Sequence, residues 1–312
     1  MPTRAEIATA FQLCLRREMD DESAYVFFES LDNLEQVYST LFESPEFRGR
    51  LAPPPQLIDS TKVEVEAFAT PDDLARMVAH VERTWTRLGE TEPHWSVITD
   101  PRFKAATFAA NEAAFAEHGM SDEQGLAAAA SRAGLDLSRY QTCFELGCGV
   151  GRITAWLARR FPQVVGVDIS TAHLATARAA LANAPNVQLR HIATLEALSA
   201  LPRFDVFYSY IVLQHNPPPV IAAILTRVLE RLEPGGIGFF QLPVWIPGYR
   251  FRIADYLADL RPDAMEMHAL PQRDLLAVVQ AAGCRVLELR EDPMGLNFGG
   301  ISNTLLVEKA AA

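Results

Sequence analysis

Through the first half of the chain, apolar residues recur at helical spacing. They do so from Ala5 to Arg16 and from Leu31 to Phe42, and Pro45 opens a further short turn through Phe47. The run Ala52-Pro53-Pro54-Pro55 stops any helix and favours an extended connection. Val63-Glu64-Val65-Glu66 alternates as a short strand does, and Thr70 with Pro71 and Asp72 starts a helix reaching Trp85. His94 to Phe103 reads as irregular structure ahead of an Ala-rich helix around Phe108 to Phe115, and Ala127 to Ala130 is a strong helix former. After Tyr140 the period changes. Short apolar strands are expected at Thr142 to Leu146, Val164 to Asp168, Val187 to His191, Val206 to Tyr210 and Ile237 to Leu242. Helices fall between them, at Ile153 to Arg160, Ala172 to Ala182, Leu195 to Ala200 and Pro219 to Leu232. A last helix, Arg273 to Ala282, precedes two β-rich runs, Arg285 to Leu289 and Asn303 to Val307, with Gly235-Gly236 and Gly283 where helices should end.

That alternation implies an α/β fold with a parallel sheet covered on both faces. It divides the chain into a small helical unit at 1–52, a stretch of linker and helices with a lid at 53–139, and an α/β domain at 140–312. Within the last, 243–270 is too long for an ordinary connection and rich in aromatics, so it is expected to cap the site.

Charge and cysteine content narrow the function. A formal net charge of -11 on 312 residues disfavours general attraction to phosphate backbones, so no nucleic-acid partner is expected. The N-terminus lacks the apolar core of a signal peptide, and no stretch has the roughly 20 apolar residues that span a bilayer. Cys14, Cys143, Cys148 and Cys284 form neither a CxxC pair nor a zinc grouping, which fits a reducing cytoplasm and predicts no metal. No feature of the pattern fixes an oligomeric state.

The densest chemistry lies in Phe144-Glu145-Leu146-Gly147-Cys148-Gly149-Val150-Gly151-Arg152, between a strand and a helix. Glycines 147, 149 and 151 permit a tight turn and close approach of backbone to a ligand. The spacing is GxGxG, whereas a dinucleotide site wants its third glycine one place later. Glu145 points the same way, since a carboxylate there would repel a pyrophosphate but suits a cationic amino-acid moiety. The next strand ends in Asp168, placed to accept hydrogen bonds from ribose hydroxyls, with Ile169 offering an apolar face to a base.

These residues resemble the class I S-adenosylmethionine-dependent methyltransferases, over Tyr140 to Lys309. The family motif ExGxGxG stands as Glu145, Gly147, Gly149 and Gly151, and its acid after the second strand as Asp168. The resemblance implies a Rossmann-like seven-strand sheet whose last strand runs antiparallel, and S-adenosylmethionine as cofactor with S-adenosylhomocysteine as product. Family members often place an acid after the third strand to meet the adenine amino group. Here His191-Ile192-Ala193-Thr194-Leu195 offers none, and Thr194 or a backbone group has to substitute, beside Leu195.

At the carboxyl end of the fourth strand Ser209, Tyr210 and His215 are expected near the site, the resemblance implies that this loop flanks the methionine half of the donor, and His215 is the candidate general base for an acceptor hydroxyl. Trp95, Tyr249 and His268 are the acceptor-side candidates, Trp95 in a lid-like segment and the other two in the cap. Glu266 with His268 is too sparse a signal for a metal. The N-terminal helices, around Phe11 to Arg17 and Tyr38 to Arg48, are similar to a small helical domain found beside bacterial glycan-modifying enzymes. The expected function is methylation of a small-molecule or glycan hydroxyl. Two alternatives stay open: a catalytically inactive S-adenosylmethionine-binding sensor or partner subunit, and a nicotinamide oxidoreductase, which the glycine spacing disfavours.

Overall fold

A computed structural model of the chain describes all residues but 16, 18, 20, 21, 45, 48–63, 262, 263, 298 and 312. The proline connection Ala52 to Pro55 and the strand start at Val63 lie outside the described residues, as does Pro45. Two compact units emerge, Met1–Ser60 and Thr61–Ala312.

In the smaller unit, α1 (Arg4–Leu15), α2 (Glu22–Glu29) and α3 (Leu34–Glu43) close over Ile7, Phe11, Leu15, Phe28, Val37 and Leu41. Asn33 caps α3 by accepting the Gln36 N–H at 3.0 Å. The pattern of apolar positions misses α2, a short helix in which Val26 and Phe27 face outward and only Phe28 is buried, so no clean stripe marks it.

The larger unit opens with β1 (Glu64–Val65) and then α4 (Pro71–Thr91), capped by Thr70, which accepts the Asp73 N–H at 3.2 Å. Next come α5 (Glu112–Arg132) and the sheet strands β2 (Thr142–Leu146), β3 (Gln163–Asp168), β4 (Val187–His191), β5 (Phe204–Ser209) and β6 (Leu232–Trp245). Between them run α6 (Thr154–Arg160), α7 (Thr171–Ala180), α8 (Leu195–Ser199) and α9 (Pro218–Glu230). The expected cap, 243–270, carries β7 (Arg250–Phe251) and α10 (Ile253–Ala258). The chain then completes the sheet through α11 (Gln272–Ala281), β8 (Cys284–Asp292) and β9 (Ile301–Lys309).

The sheet order is β4-β3-β2-β5-β6-β9-β8, with β9 antiparallel to both neighbours and the strands from β2 to β6 parallel. This is the Rossmann-like class I methyltransferase fold. Strand order reverses between β2 and β5, and that places a crevice beyond their carboxyl ends, as in other open α/β sheets. Buried Phe144, Phe207 and Phe240 on adjacent strands fill one face of the sheet, with α9 packed on the same cluster.

Two helices run well past their expected spans, each through glycine. The helix around Phe108 to Phe115 is a short turn at Phe108–Ala110 followed by α5, which runs on through Gly119 and Gly125. Gly119 is there for packing, since a Cβ would stand 2.5 Å from the Arg152 carbonyl. Likewise α4 continues past Trp85 through Gly89, where a Cβ would come within 2.6 Å of the His173 ring. The cap is stitched to the segment before α4: β1 pairs with β7, and the Ile253 N–H donates to Glu66 at 2.6 Å.

Candidate functional site

Directly after β2 the chain turns. Gly147 has φ of 73°, and a Cβ on it would lie 2.4 Å from the Val212 methyls, so the loops leaving β2 and β5 approach closely enough that only hydrogen fits. Gly149, with φ of 52°, leaves 3.1 Å between an added Cβ and Val97. The turn is tied across to β3: the N–H groups of Gly147 and Cys148 donate to the Val167 carbonyl at 2.8 and 3.0 Å. Asp168 accepts the Gly149 N–H at 2.8 Å on one oxygen and the Ser170 N–H at 2.8 Å on the other. Each carboxylate oxygen keeps a further lone pair for a ligand hydroxyl.

These loops open a cleft of about 1060 Å³, its open mouth included. Glu145, Gly147, Gly149 and Asp168 line it, as do Ile169, Thr194, Leu195 and Tyr210. A nucleoside bearing an amino acid fits this set. For such a ligand Ile169 and Leu195 would give the base apolar walls and Asp168 would give the ribose an acceptor, while the bare glycine backbone leaves room that a Cβ would take. Thr194 has its hydroxyl committed to capping α8, accepting the Ala197 N–H at 3.3 Å.

Glu145 is almost fully buried. Burial pushes its carboxyl up to about 7, against the Thr154 hydroxyl, which donates to it at 2.6 Å, and the nearby Arg152. Burial also raises the Asp168 carboxyl, opposed by His173 and by the N–H groups it accepts. His173 in turn is pushed down by burial and drawn up by Asp168, and its Nε2 stands 2.8 Å from the Ser96 hydroxyl.

Six expected residues fall outside the cleft lining. Gly151, at φ of 83°, serves helix packing, since a Cβ there would meet Leu181 at 2.7 Å. Ser209 is fully buried and spends its hydroxyl on the Leu146 carbonyl at 3.2 Å. Trp95 points away, under the Lys104 ammonium at 6.0 Å, while its neighbours Ser96 and Val97 line the cleft. His215 has both ring nitrogens engaged: Nδ1–H donates to the Glu266 carbonyl at 2.8 Å, and Nε2 faces the Gln214 amide at 3.4 Å. Burial holds this imidazole at about 4. In segment 243–270, of which no described residue lines the cleft, His268 Nε2–H donates to Glu266 at 3.1 Å and Nδ1 accepts the Tyr249 hydroxyl at 2.8 Å. The Tyr256 hydroxyl joins the same carboxylate at 2.8 Å. Burial pushes the Glu266 carboxyl up, but His268, Tyr256 and His80 together bring it below the usual range.

Residues absent from the sequence reading complete the cleft. Val78, Val81 and Trp85 come from one face of α4, Val220 and Ile224 from α9, and Asn216 from the loop after β5. The spacing of Val78, Val81 and Trp85 was visible, but such a stripe reads equally well as core. Between Tyr210 and Val212, Ile211 adopts φ of 58°, the single residue other than glycine in the left-handed region among those described. For a β-branched residue this strain costs of order 1–3 kcal/mol, and it lies on the cleft wall.

Residues 144–236 match a family model described as a methyltransferase domain. A trans-aconitate 2-methyltransferase of Azoarcus sp. (strain BH72) is 37% identical over 126 residues, covering 40% of this chain and 47% of that protein. One of Deinococcus radiodurans is 41% identical over 106 residues, 33% of this chain and 38% of that protein. A ubiquinone biosynthesis O-methyltransferase of Paraburkholderia phytofirmans is 30% identical over 158 residues, 48% of this chain and 67% of that protein. The chain thus spans less than half the length of these two trans-aconitate relatives.

Proposed function

Because the chain belongs to the class I S-adenosylmethionine-dependent methyltransferases, with S-adenosylmethionine as its cofactor, we propose that it transfers a methyl group to an oxygen of a small organic molecule. The observation that carries this reading is the joining of Glu145, the glycine turn and Asp168 along one cleft. The donor supplies a methyl group already activated on a sulfonium. What remains for this chain is to bind, orient and exclude water, and orientation alone is worth several orders of magnitude in rate. Asp168 holds the ribose, Ile169 and Leu195 wall the base, and Glu145 offers its carboxylate to the ammonium of the amino-acid end. Trp85, Val97 and Val212 keep the opposite side apolar.

The relatives whose names state an acceptor act on trans-aconitate or in ubiquinone biosynthesis, both of which support a small molecule with an oxygen nucleophile. The apolar side chains of the cleft favour an acceptor with an apolar body. Among the described residues Arg152 is the one Arg or Lys lining it, and it is paired with Asp122 at 2.6 Å, which leaves little there to bind a polycarboxylate. A sugar acceptor, suggested by the N-terminal helices, would need many more polar side chains to read its hydroxyls than Asn216, Ser96 and Tyr210 offer.

Incubation with donor labelled in the methyl group and panels of small acids, phenols and sugars tests the proposal. Label is expected in a phenol or an acid with an apolar body. Label transferred to sugars alone would refute the acceptor assignment, and no transfer to any oxygen acceptor would refute the reaction.

A further inference from the structure

Gln241 lies in the middle of β6 with no exposure to solvent, where a hydrophobic residue would be the ordinary choice. Its amide is fully used. Nε2 donates to the Ser302 hydroxyl at 2.6 Å and to the Gln214 side-chain carbonyl at 3.2 Å, and Oε1 accepts the N–H of Ile211 at 3.1 Å. The orientation is dictated from a distance. Asp292 can only accept, so the Ser302 hydroxyl donates to it at 3.1 Å and turns a lone pair to Gln241, and that lone pair demands the amide NH₂. The carbonyl end is therefore left for Ile211. From Gln214 the chain of bonds continues to His215 Nε2 and, through Nδ1–H, to the Glu266 carbonyl in the cap.

One acceptor thus meets the N–H of the one strained residue on the cleft wall, and the same side chain grips Gln214 three residues further along the loop. We propose that Gln241 is a positioning residue of this site: it holds Ile211 in its left-handed conformation and so keeps Tyr210, Ile211 and Val212 where they form the cleft wall. Without its carbonyl, Ile211 relaxes to an ordinary conformation. Tyr210 and Val212 then swing with it, and Val212, packed on Gly147, disturbs the glycine turn as well. The proposal rests on the reading of the cleft as the donor site.

Its test is a cycle of variants of the full chain, Gln241→Leu, Ile211→Gly and the pair, each titrated calorimetrically with S-adenosylhomocysteine and melted separately. Gln241→Leu should weaken binding about tenfold or more in protein that is still folded. Glycine takes the left-handed turn without strain, so in the Ile211→Gly background the same change should cost no more than about threefold. A residue of merely structural importance would lower the melting temperature and leave the affinity of the folded protein alone, whatever stands at 211. Gln241→Glu covers the event that the leucine variant does not fold: it keeps an acceptor for Ile211 and should bind within about threefold of the parent while melting lower. Equal losses in both 211 backgrounds, or a leucine variant that folds and binds like the parent, or a glutamate variant that binds as poorly as leucine, would overturn the proposal. Failure of the parent chain itself to bind would instead overturn the donor-site reading on which it rests.

Discussion

Glu145 is a carboxylate placed where its charge is costly. In the native protein its carboxyl titrates at about 7, whereas in an unfolded chain it returns to its ordinary value of 4.5. Between those values the native state keeps a proton that the unfolded state has released, so this group's contribution to stability falls as pH rises through the window and levels off above it. An ammonium ligand reverses the preference by favouring the ionised form. Affinity for S-adenosylhomocysteine is therefore expected to rise from about pH 6 to about pH 8, and Glu145→Gln should flatten that dependence. Calorimetry at the two pH values decides it; equal affinity in the parent protein would contradict the placement of the ammonium. Asp168→Ala removes both the tie to the Gly149 N–H and the ribose acceptor, and a loss of at least about tenfold in affinity is expected. His215→Ala should destabilise by about 1–3 kcal/mol on thermal or urea denaturation, because it strands the Glu266 carbonyl and the Gln214 amide. The pH profile of turnover in the parent enzyme should show no step near neutrality from an imidazole held at about 4; such a step, lost in His215→Ala, would restore it as a base.

Among the elements, α4 carries the most that the sequence concealed. Its start was legible in Thr70-Pro71-Asp72, and Thr70→Ala is expected to cost about 1 kcal/mol in thermal unfolding by freeing the Asp73 N–H. Its end and its purpose were not legible. Gly89 lies inside the helix, close against the His173 ring, and Trp85 lines the cleft, neither of which the local sequence records. Strands were easier. Thr142–Leu146 and Val187–His191 coincide with their expected bounds, the first a largely buried run and the second an edge strand whose apolar residues alternate with polar ones. β6 is longer than its apolar core, beginning at Leu232 and passing through Pro234, Gly235 and Gly236, where the register with β5 shifts. The chemistry of a site is legible when it is written locally, as in Glu145 to Gly151. The wall made by Val78, Val81, Trp85, Val97 and Asn216 is assembled by the fold from segments up to 138 residues apart, and no local spacing records it.

At the scale of the whole molecule, the described residues that line the cleft belong to Thr61–Ala312. No described helix is long and apolar enough to cross a membrane. A chain shortened to residues 61–312 is therefore expected to fold and to bind S-adenosylhomocysteine as the full chain does. A large loss of affinity in folded protein would assign the first unit a direct part in the site. The central claim is that the cleft beyond β2 and β3 accepts a sulfonium nucleoside rather than a dinucleotide. The most direct measurement is a crystal structure of the full chain grown with S-adenosylhomocysteine. The account predicts the ribose hydroxyls on Asp168, the base between Ile169 and Leu195, and the amino-acid end at Glu145. Density for the ligand elsewhere, or a cleft that takes NAD in its place, would contradict it.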